Sequence, residues 1–295
     1  MSDRRPEIHL NLGVPALAAE AAALPAAGVG LLRAEFLALG TGRHPSAVLE
    51  EGGEDAFVRA FAEGLETVAR AFHPRPVTYR TLDLKSNEYR SLAGGDRFEP
   101  SEENPMLGLR GVARYLERPG ELRLELRAVT RVLDAGLDNV HVCIPFVRTV
   151  DELRAVKDVV AAEGLLGRPG FQLWAMAEVP STALLADRFA AEVDGLSIGS
   201  NDLTQLVLGV DRDSALLARR YGADDEAVLA AIALVVAGAH AAGVPVCSCG
   251  DAPSQSPALV ARLVELGVDR ISVPPSAFHD TVAAVDAAVA AGARA

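Results

Sequence analysis

The chain has 295 residues, half of them hydrophobic and 23% charged, with a formal net charge of −12. That length allows one large core or two small domains, and that composition excludes a disordered chain. So acidic a surface argues against nucleic acid and anionic membranes as partners, and confines anion binding to a local basic pocket. In chain order, β-like apolar runs occupy residues 9–12, 29–36, 76–83, 139–146, 171–179, 193–200, 244–249 and 270–273. Helical spacing fills the stretches between them, at 15–24, 47–72, 149–163, 181–191, 226–242 and 257–266. Strands alternating with helices predict a parallel sheet with right-handed crossovers. Eight such units predict an α/β fold, a single-domain (β/α)8 TIM barrel over residues 1–295, with an open doubly wound sheet as the alternative.

The side chains with chemical potential stand late in these runs or just after them. Arg33 follows Gly-Val-Gly-Leu-Leu, Arg80 follows Val-Thr-Tyr, and Arg148 follows Ile-Pro-Phe-Val. Glu178, Asn201, Asp202 and Cys249 do the same on their own runs. In a barrel such ends share one face, whereas an open sheet would scatter the outer ones, so the barrel is preferred. A long polar stretch at 84–106, with Gly94-Gly95 and an acidic segment, reads either as a functional loop or as a surface excursion. Residues 51–55 read as a solvated bend or a helix start.

Glu178 and Asp202 are the candidate ligands for Mg²⁺, which takes one or two protein carboxylates and completes its shell with water and substrate oxygens. The alternative is a salt-bridged carboxylate or, for Asp202, a cap on a helix starting near Leu203. Arg33, Arg80, Arg110 and Arg212 stand in glycine-rich or turn-like contexts. A guanidinium fork matches phosphate or carboxylate, and the alternative for these arginines is an internal ion pair, for instance with Glu35, Asp83 or Glu88. Cys249, in Cys247-Ser-Cys249-Gly, can move a proton at carbon or can be a small core residue. One Cys-x-Cys without a second pair is a weak zinc signal. The six histidines show no ligand spacing, and no nucleotide-binding glycine motif is present. Three cysteines, no apolar stretch behind Met1 and no apolar run of about 18 residues predict a cytoplasmic protein without a membrane span.

These residues carry a family resemblance. Gly28-Val-Gly-Leu-Leu-Arg-Ala-Glu-Phe36, Arg80-Thr-Leu-Asp-Leu-Lys-Ser-Asn-Glu-Tyr89 and Glu103-Asn-Pro-Met-Leu-Gly-Leu-Arg-Gly111 come first. Ile144-Pro-Phe-Val-Arg-Thr149, Ala177-Glu-Val-Pro-Ser181, Ile198-Gly-Ser-Asn-Asp-Leu-Thr-Gln205 and Cys249-Gly-Asp-Ala-Pro-Ser254 follow in order. Together they resemble the C-terminal barrel of phosphoenolpyruvate synthase (pyruvate, water dikinase), which binds phosphoenolpyruvate and pyruvate. More distantly, the chain is similar to pyruvate phosphate dikinase and to enzyme I of the sugar phosphotransferase system.

The resemblance implies that Arg33 and Arg80 hold a phosphoryl group, with Arg110 beside it. It implies that Glu178 and Asp202 hold Mg²⁺, that Asn201 and Arg212 contact phosphate or carboxylate, and that Cys249 exchanges a proton at the substrate's methyl carbon. It also implies a homodimer. Family enzymes carry phosphate on a histidine of a separate domain, and the dikinases add an ATP-grasp domain. The barrel consumes this chain, so both are expected to be absent and a separate phosphohistidine/ATP-grasp protein becomes a candidate partner. The chain then reads as a split-enzyme subunit, an excised domain or a stand-alone relative. Rival readings are a lyase-type barrel acting on a 2-oxo acid enolate and a non-catalytic phosphoenolpyruvate-binding regulatory subunit.

Overall fold

The computed structural model describes residues 5–35, 37, 41–217 and 220–292. Eight parallel strands close a barrel in chain order, as expected of a (β/α)8 fold and not of an open sheet. They are β1 (Glu7–Leu12), β2 (Val29–Arg33), β3 (Val77–Arg80), β4 (Val140–Ile144), β5 (Leu173–Ala177), β6 (Gly195–Ile198), β7 (Val246–Ser248) and β8 (Arg270–Val273). Every residue of β4 and β5 is buried. Burial without alternation is what a parallel sheet covered on both faces demands, and it explains why these strands read as unbroken apolar runs.

Most strands are shorter than the runs that predicted them, and the trimmed residues include Glu178, Ser200 and Cys249. Ser200 leaves its strand and opens the helix Ser200–Leu208, which places Asn201 and Asp202 in the first helical turn. The helix therefore begins at Ser200 and not at Leu203. The run at 47–72 divides into Pro45–Glu50 and Glu54–Phe72 around the expected bend. The run at 181–191 divides at Leu185. Further helices, Gly111–Glu117, Pro119–Asp134 and Phe278–Gly292, lie outside the segments singled out by spacing. The stretch at 84–106 holds the short helix Ser86–Arg90 and a 3-10 turn at Gly95–Arg97.

The scaffold groups into two compact units. One comprises Met1–Asn11, Ala23–Leu31 and Trp174–Ala295. Within it β1 pairs with β8 (His9 opposite Ser272), β5 with β6, and β6 with β7 (Ser197 opposite Cys247). The helix Glu226–Ala241 starts where the Asp225 side chain accepts from Ala227 N at 2.9 Å, and it packs against Ala186–Ala190.

The other unit comprises Leu12–Ala22 and Leu32–Leu173. Here β3 pairs with β4, and the helix Glu54–Phe72 packs on Pro119–Asp134. Phe57, Phe61, Leu65, Val68 and Phe72 recur at helical spacing and are all buried. Each such side chain taken out of water contributes about 1.5–3 kcal/mol. Among the described residues no helix is long and apolar enough to cross a membrane.

Candidate functional site

In the second unit two of the predicted arginines, Arg80 and Arg110, lie beside carboxylates. Arg80 closes β3, and its Nη2 donates to Glu35 Oε1 at 2.7 Å, with each side chain only 14% exposed. The same Glu35 oxygen accepts from Asp83 N at 3.1 Å. Arg110 is buried and grips Asp83 with two parallel bonds, Nε to Oδ1 at 3.0 Å and Nη2 to Oδ2 at 2.5 Å. The Arg110–Asp83 contact is the fork-to-carboxylate pair expected of guanidinium, and Glu35 and Asp83 were among the partners considered from sequence. Arg33, half-buried, is the last residue of β2.

The Arg110 guanidinium also lies 4.1 Å from the centroid of the Phe146 ring, and that of Arg148 lies 4.7 Å from it. Arg148 Nη2 donates to Gly108 O at 2.8 Å, which ties the segment before Arg110 to the end of β4. Phe146 adopts φ +48°, a conformation rare for a residue with a bulky side chain. Gly111 faces it with φ +55°, and a Cβ there would come within 2.5 Å of Phe146 Cβ. Arg110 is thus set between two left-handed backbones.

A buried ion network anchors the former loop in the same unit. Arg114 is wholly buried; its Nε donates to Glu121 Oε2 at 2.7 Å and its Nη2 to Glu99 Oε1 at 2.8 Å. Arg118 Nη1 donates to the same Glu99 oxygen at 2.6 Å, and His44 Nε2 lies 2.8 Å from it. Burial alone would raise the Glu99 pKa, but His44, Arg114 and Arg118 overcome this and hold it at about 2.

In the first unit Glu178 follows β5 directly and is buried. A Cβ on Gly199 would strike Glu178 Oε2, so only glycine leaves this carboxylate its room. Asp202 is also buried, and Arg212 Nη1 approaches its Oδ2 at 3.3 Å. Arg212 N donates to Gln205 Oε1 at 3.1 Å, which fixes the turn after the helix. Asn201 Nδ2 donates to Asp251 Oδ2 at 2.9 Å. Cys249 is buried just past β7; Ser197 Oγ donates to its sulfur at 3.2 Å, and Asn11 Nδ2 donates to its carbonyl at 3.1 Å. Cys247 is buried as well, and burial pushes its thiol pKa up.

Among the described residues no three His, Cys, Asp or Glu side chains form a ready-made metal cluster. Mg²⁺ needs no such cluster, because one or two carboxylates suffice when water and substrate supply the remaining oxygens. Glu178 and Asp202 are buried carboxylates, the donor type such a site uses, and Gly199 leaves room beside the first.

A family model described as "PEP-utilising enzyme, PEP-binding domain" matches residues 2–290. The chain belongs to this family. It is 49% identical to a probable phosphoenolpyruvate synthase of Staphylothermus marinus, across 93% of this chain and 34% of that protein. It is 48% identical to the phosphoenolpyruvate synthase of Aeropyrum pernix, across 92% of this chain and 34% of that one. It is 41% identical to that of Escherichia coli, across 95% and 38%. The chain thus spans little more than a third of the length of these relatives.

Strand-end reasoning singled out Arg33, Arg80, Glu178, Asn201, Asp202 and Cys249, and each closes a strand or follows one. It missed Ser197 and Asp251, which touch Cys249 and Asn201 from 52 and 50 residues away. An available signal was the placement of Asp251 in the turn directly after Cys249-Gly250. It also missed the Glu99 and Arg114 network, whose acidic member lies in the stretch read as a functional loop or a surface excursion.

Proposed function

We propose that this chain binds phosphoenolpyruvate and pyruvate and carries out the carbon-side half of a phosphotransfer between a phosphohistidine and the pyruvate enolate. The observation that carries the reading is family membership over nearly the whole chain, joined to relatives that are named phosphoenolpyruvate synthases. In this reading Arg33 and Arg80 hold the phosphoryl group and Arg110 neutralises the oxygen between carbon and phosphorus. Asn201 and Arg212 orient the substrate's anionic groups. Glu178 and Asp202 hold Mg²⁺, which supplies positive charge for the enolate oxygen. The Cys249 thiolate takes a methyl proton from pyruvate and becomes a thiol. The enolate oxygen then accepts the phosphoryl group from phosphohistidine, leaving phosphoenolpyruvate and histidine. Ser197, donating to the Cys249 sulfur at 3.2 Å, and Ile198 O, 3.5 Å from it, hold that sulfur in place.

The test is proton exchange, which needs no carrier. Pyruvate in deuterated buffer should lose its methyl proton signals in the presence of the chain and Mg²⁺. Exchange should fall at least about a hundredfold, as on loss of a general base, in Cys249→Ala. It should fall similarly when Mg²⁺ is chelated. Undiminished exchange in Cys249→Ala would remove that residue from its role. Binding of phosphoenolpyruvate with no exchange would point instead to a regulatory subunit, and cleavage of 2-oxo acids to a lyase.

A further inference from the structure

Behind the segment that carries Arg80 and Asp83 sits a carboxyl group that the proposed chemistry does not use. Glu125, on the helix Pro119–Asp134, is buried. Its Oε2 accepts from Tyr79 Oη at 2.6 Å and from Leu82 N at 3.0 Å. Tyr115 Oη donates to Leu82 O at 2.6 Å and also lies 3.2 Å from Glu125 Oε1. Among the described residues, none of these contacts involves a cation.

The hydrogen count favours a protonated carboxyl group. Four polar contacts join Glu125, Tyr79, Leu82 and Tyr115, and each needs one hydrogen. Tyr79 supplies one, the Leu82 amide supplies one, and Tyr115 spends its single proton on Leu82 O, the shorter of its two contacts. With the Tyr115 proton on Leu82 O at 2.6 Å, the 3.2 Å contact between Tyr115 Oη and Glu125 Oε1 is left to the carboxyl group's own hydrogen; turned the other way, Leu82 O would lose its donor.

We propose that Glu125 is a neutral carboxylic acid that acts as a positioning residue. It staples both polar groups of the Leu82 backbone, one directly and one through Tyr115. It thereby fixes the turn that aims Arg80 on one side and, through Asp83, Arg110 on the other. Its role in substrate binding rests on the reading given above; its protonation and its hold on Leu82 do not.

The surroundings support the assignment. Burial raises the Glu125 pKa, the bonds from Tyr79, Leu82 and Tyr115 oppose this only in part, and the result is about 8. Burial also raises the Tyr79 and Tyr115 phenols well above their usual range, so both remain donors when Glu125 ionises. The other titratable groups nearby are Glu35, Tyr89, Asp83 and Glu121. Glu35 and Asp83 hold arginines already named, and Glu121, one turn earlier on the same helix, is held by Arg114.

The experiment compares Glu125→Gln, which keeps a donor and an acceptor without a charge, with Glu125→Ala. Difference infrared spectra of the intact chain should show a protonated carboxyl band at pH 6.5 that is missing in Glu125→Gln and fades as pH rises through about 8. Phosphoenolpyruvate titrated calorimetrically should bind Glu125→Gln as it binds the parent chain and Glu125→Ala about tenfold more weakly, the scale of one lost hydrogen-bonded support. Affinity should decline above pH 8 in the parent chain and not in Glu125→Gln. The proposal is overturned if the band is missing from the parent chain at pH 6.5, or if Glu125→Gln weakens binding as much as Glu125→Ala. If the parent chain binds no phosphoenolpyruvate, the functional reading fails. The band, with faster hydrogen exchange of the Leu82 amide in Glu125→Ala only, still decides for or against the staple.

Discussion

Glu99 and Glu125 are both buried carboxyl groups of the same unit, yet their surroundings drive them to opposite charge states. Glu99 faces Arg114, Arg118 and His44 and is ionised far below the usual carboxylate range. Glu125 faces two phenols and one amide and keeps its proton to about 8. Hydrogen bonds alone do not offset the loss of water around a buried charge, whereas two guanidinium groups do. The comparison extends to function. Arg114 of the Glu99 network is enclosed at 0% exposure, whereas Arg80, the arginine that the proposed function uses, is 14% exposed.

The largest expected effect comes from stranding charges. Arg114→Met should cost about 3–5 kcal/mol in urea unfolding, because Glu99 and Glu121 lose their common partner in a dry interior. Glu125→Gln should stay within about 1 kcal/mol of the parent chain, since it trades one neutral group for another of the same shape. Equal losses in the two variants would erase the distinction.

Next in size is the pH dependence. The Glu99 pKa is lowered in the folded chain, so its contribution is complete above 4.5 and drains away as pH falls from 4.5 toward 2. The Glu125 pKa is raised, so the folded chain holds a proton that the unfolded chain releases. Stability should therefore decline from pH 4.5 to about 8 and level off beyond it. Denaturation midpoints measured across this range should show the second slope in the parent chain and a flatter one in Glu125→Gln. A slope unchanged by that substitution would assign it to other groups.

The smallest effect is expected one turn of thought away on the same helix. Arg127 pairs with Glu54 at 2.7 Å, but both side chains are more than a third exposed, at 48% and 39%. Arg127→Ala should shift stability by about 0–1 kcal/mol, and added salt should reduce even that. A loss matching that of Arg114→Met would mean that enclosure is not what separates these ion pairs.

The barrel was legible because strands covered on both faces spell continuous apolar runs, and Leu173–Ala177 or Val140–Ile144 can hardly be read otherwise. The strand ends were legible for the same reason, since Arg80 and Glu178 interrupt such runs abruptly. The partners of those residues were legible only in part: Glu35 stood among the candidate carboxylates, and Asp251 did not. Arg80 finds Glu35 from 45 residues away and Asn201 finds Asp251 from 50, distances over which only the closed fold selects one carboxylate among many. Glu121 and Glu125 were the hardest to read. At i and i+4 on an otherwise amphipathic helix they suggest a solvated stripe, yet they lie beside Leu122, Leu126 and Val129 in the interior. Their burial depends on what faces them, and a local pattern does not encode that.

Gly111 and Phe146 have an evolutionary consequence. Both hold left-handed dihedrals, and the absence of a Cβ at 111 is what lets the Phe146 backbone lie so close. A larger residue at 111 collides with the aromatic ring's own backbone. Relaxing 146 to an ordinary extended conformation would displace the platform on which two guanidinium groups rest. The pair should therefore be inherited as one character, and a barrel engineered to carry this arginine cluster would have to receive both residues together.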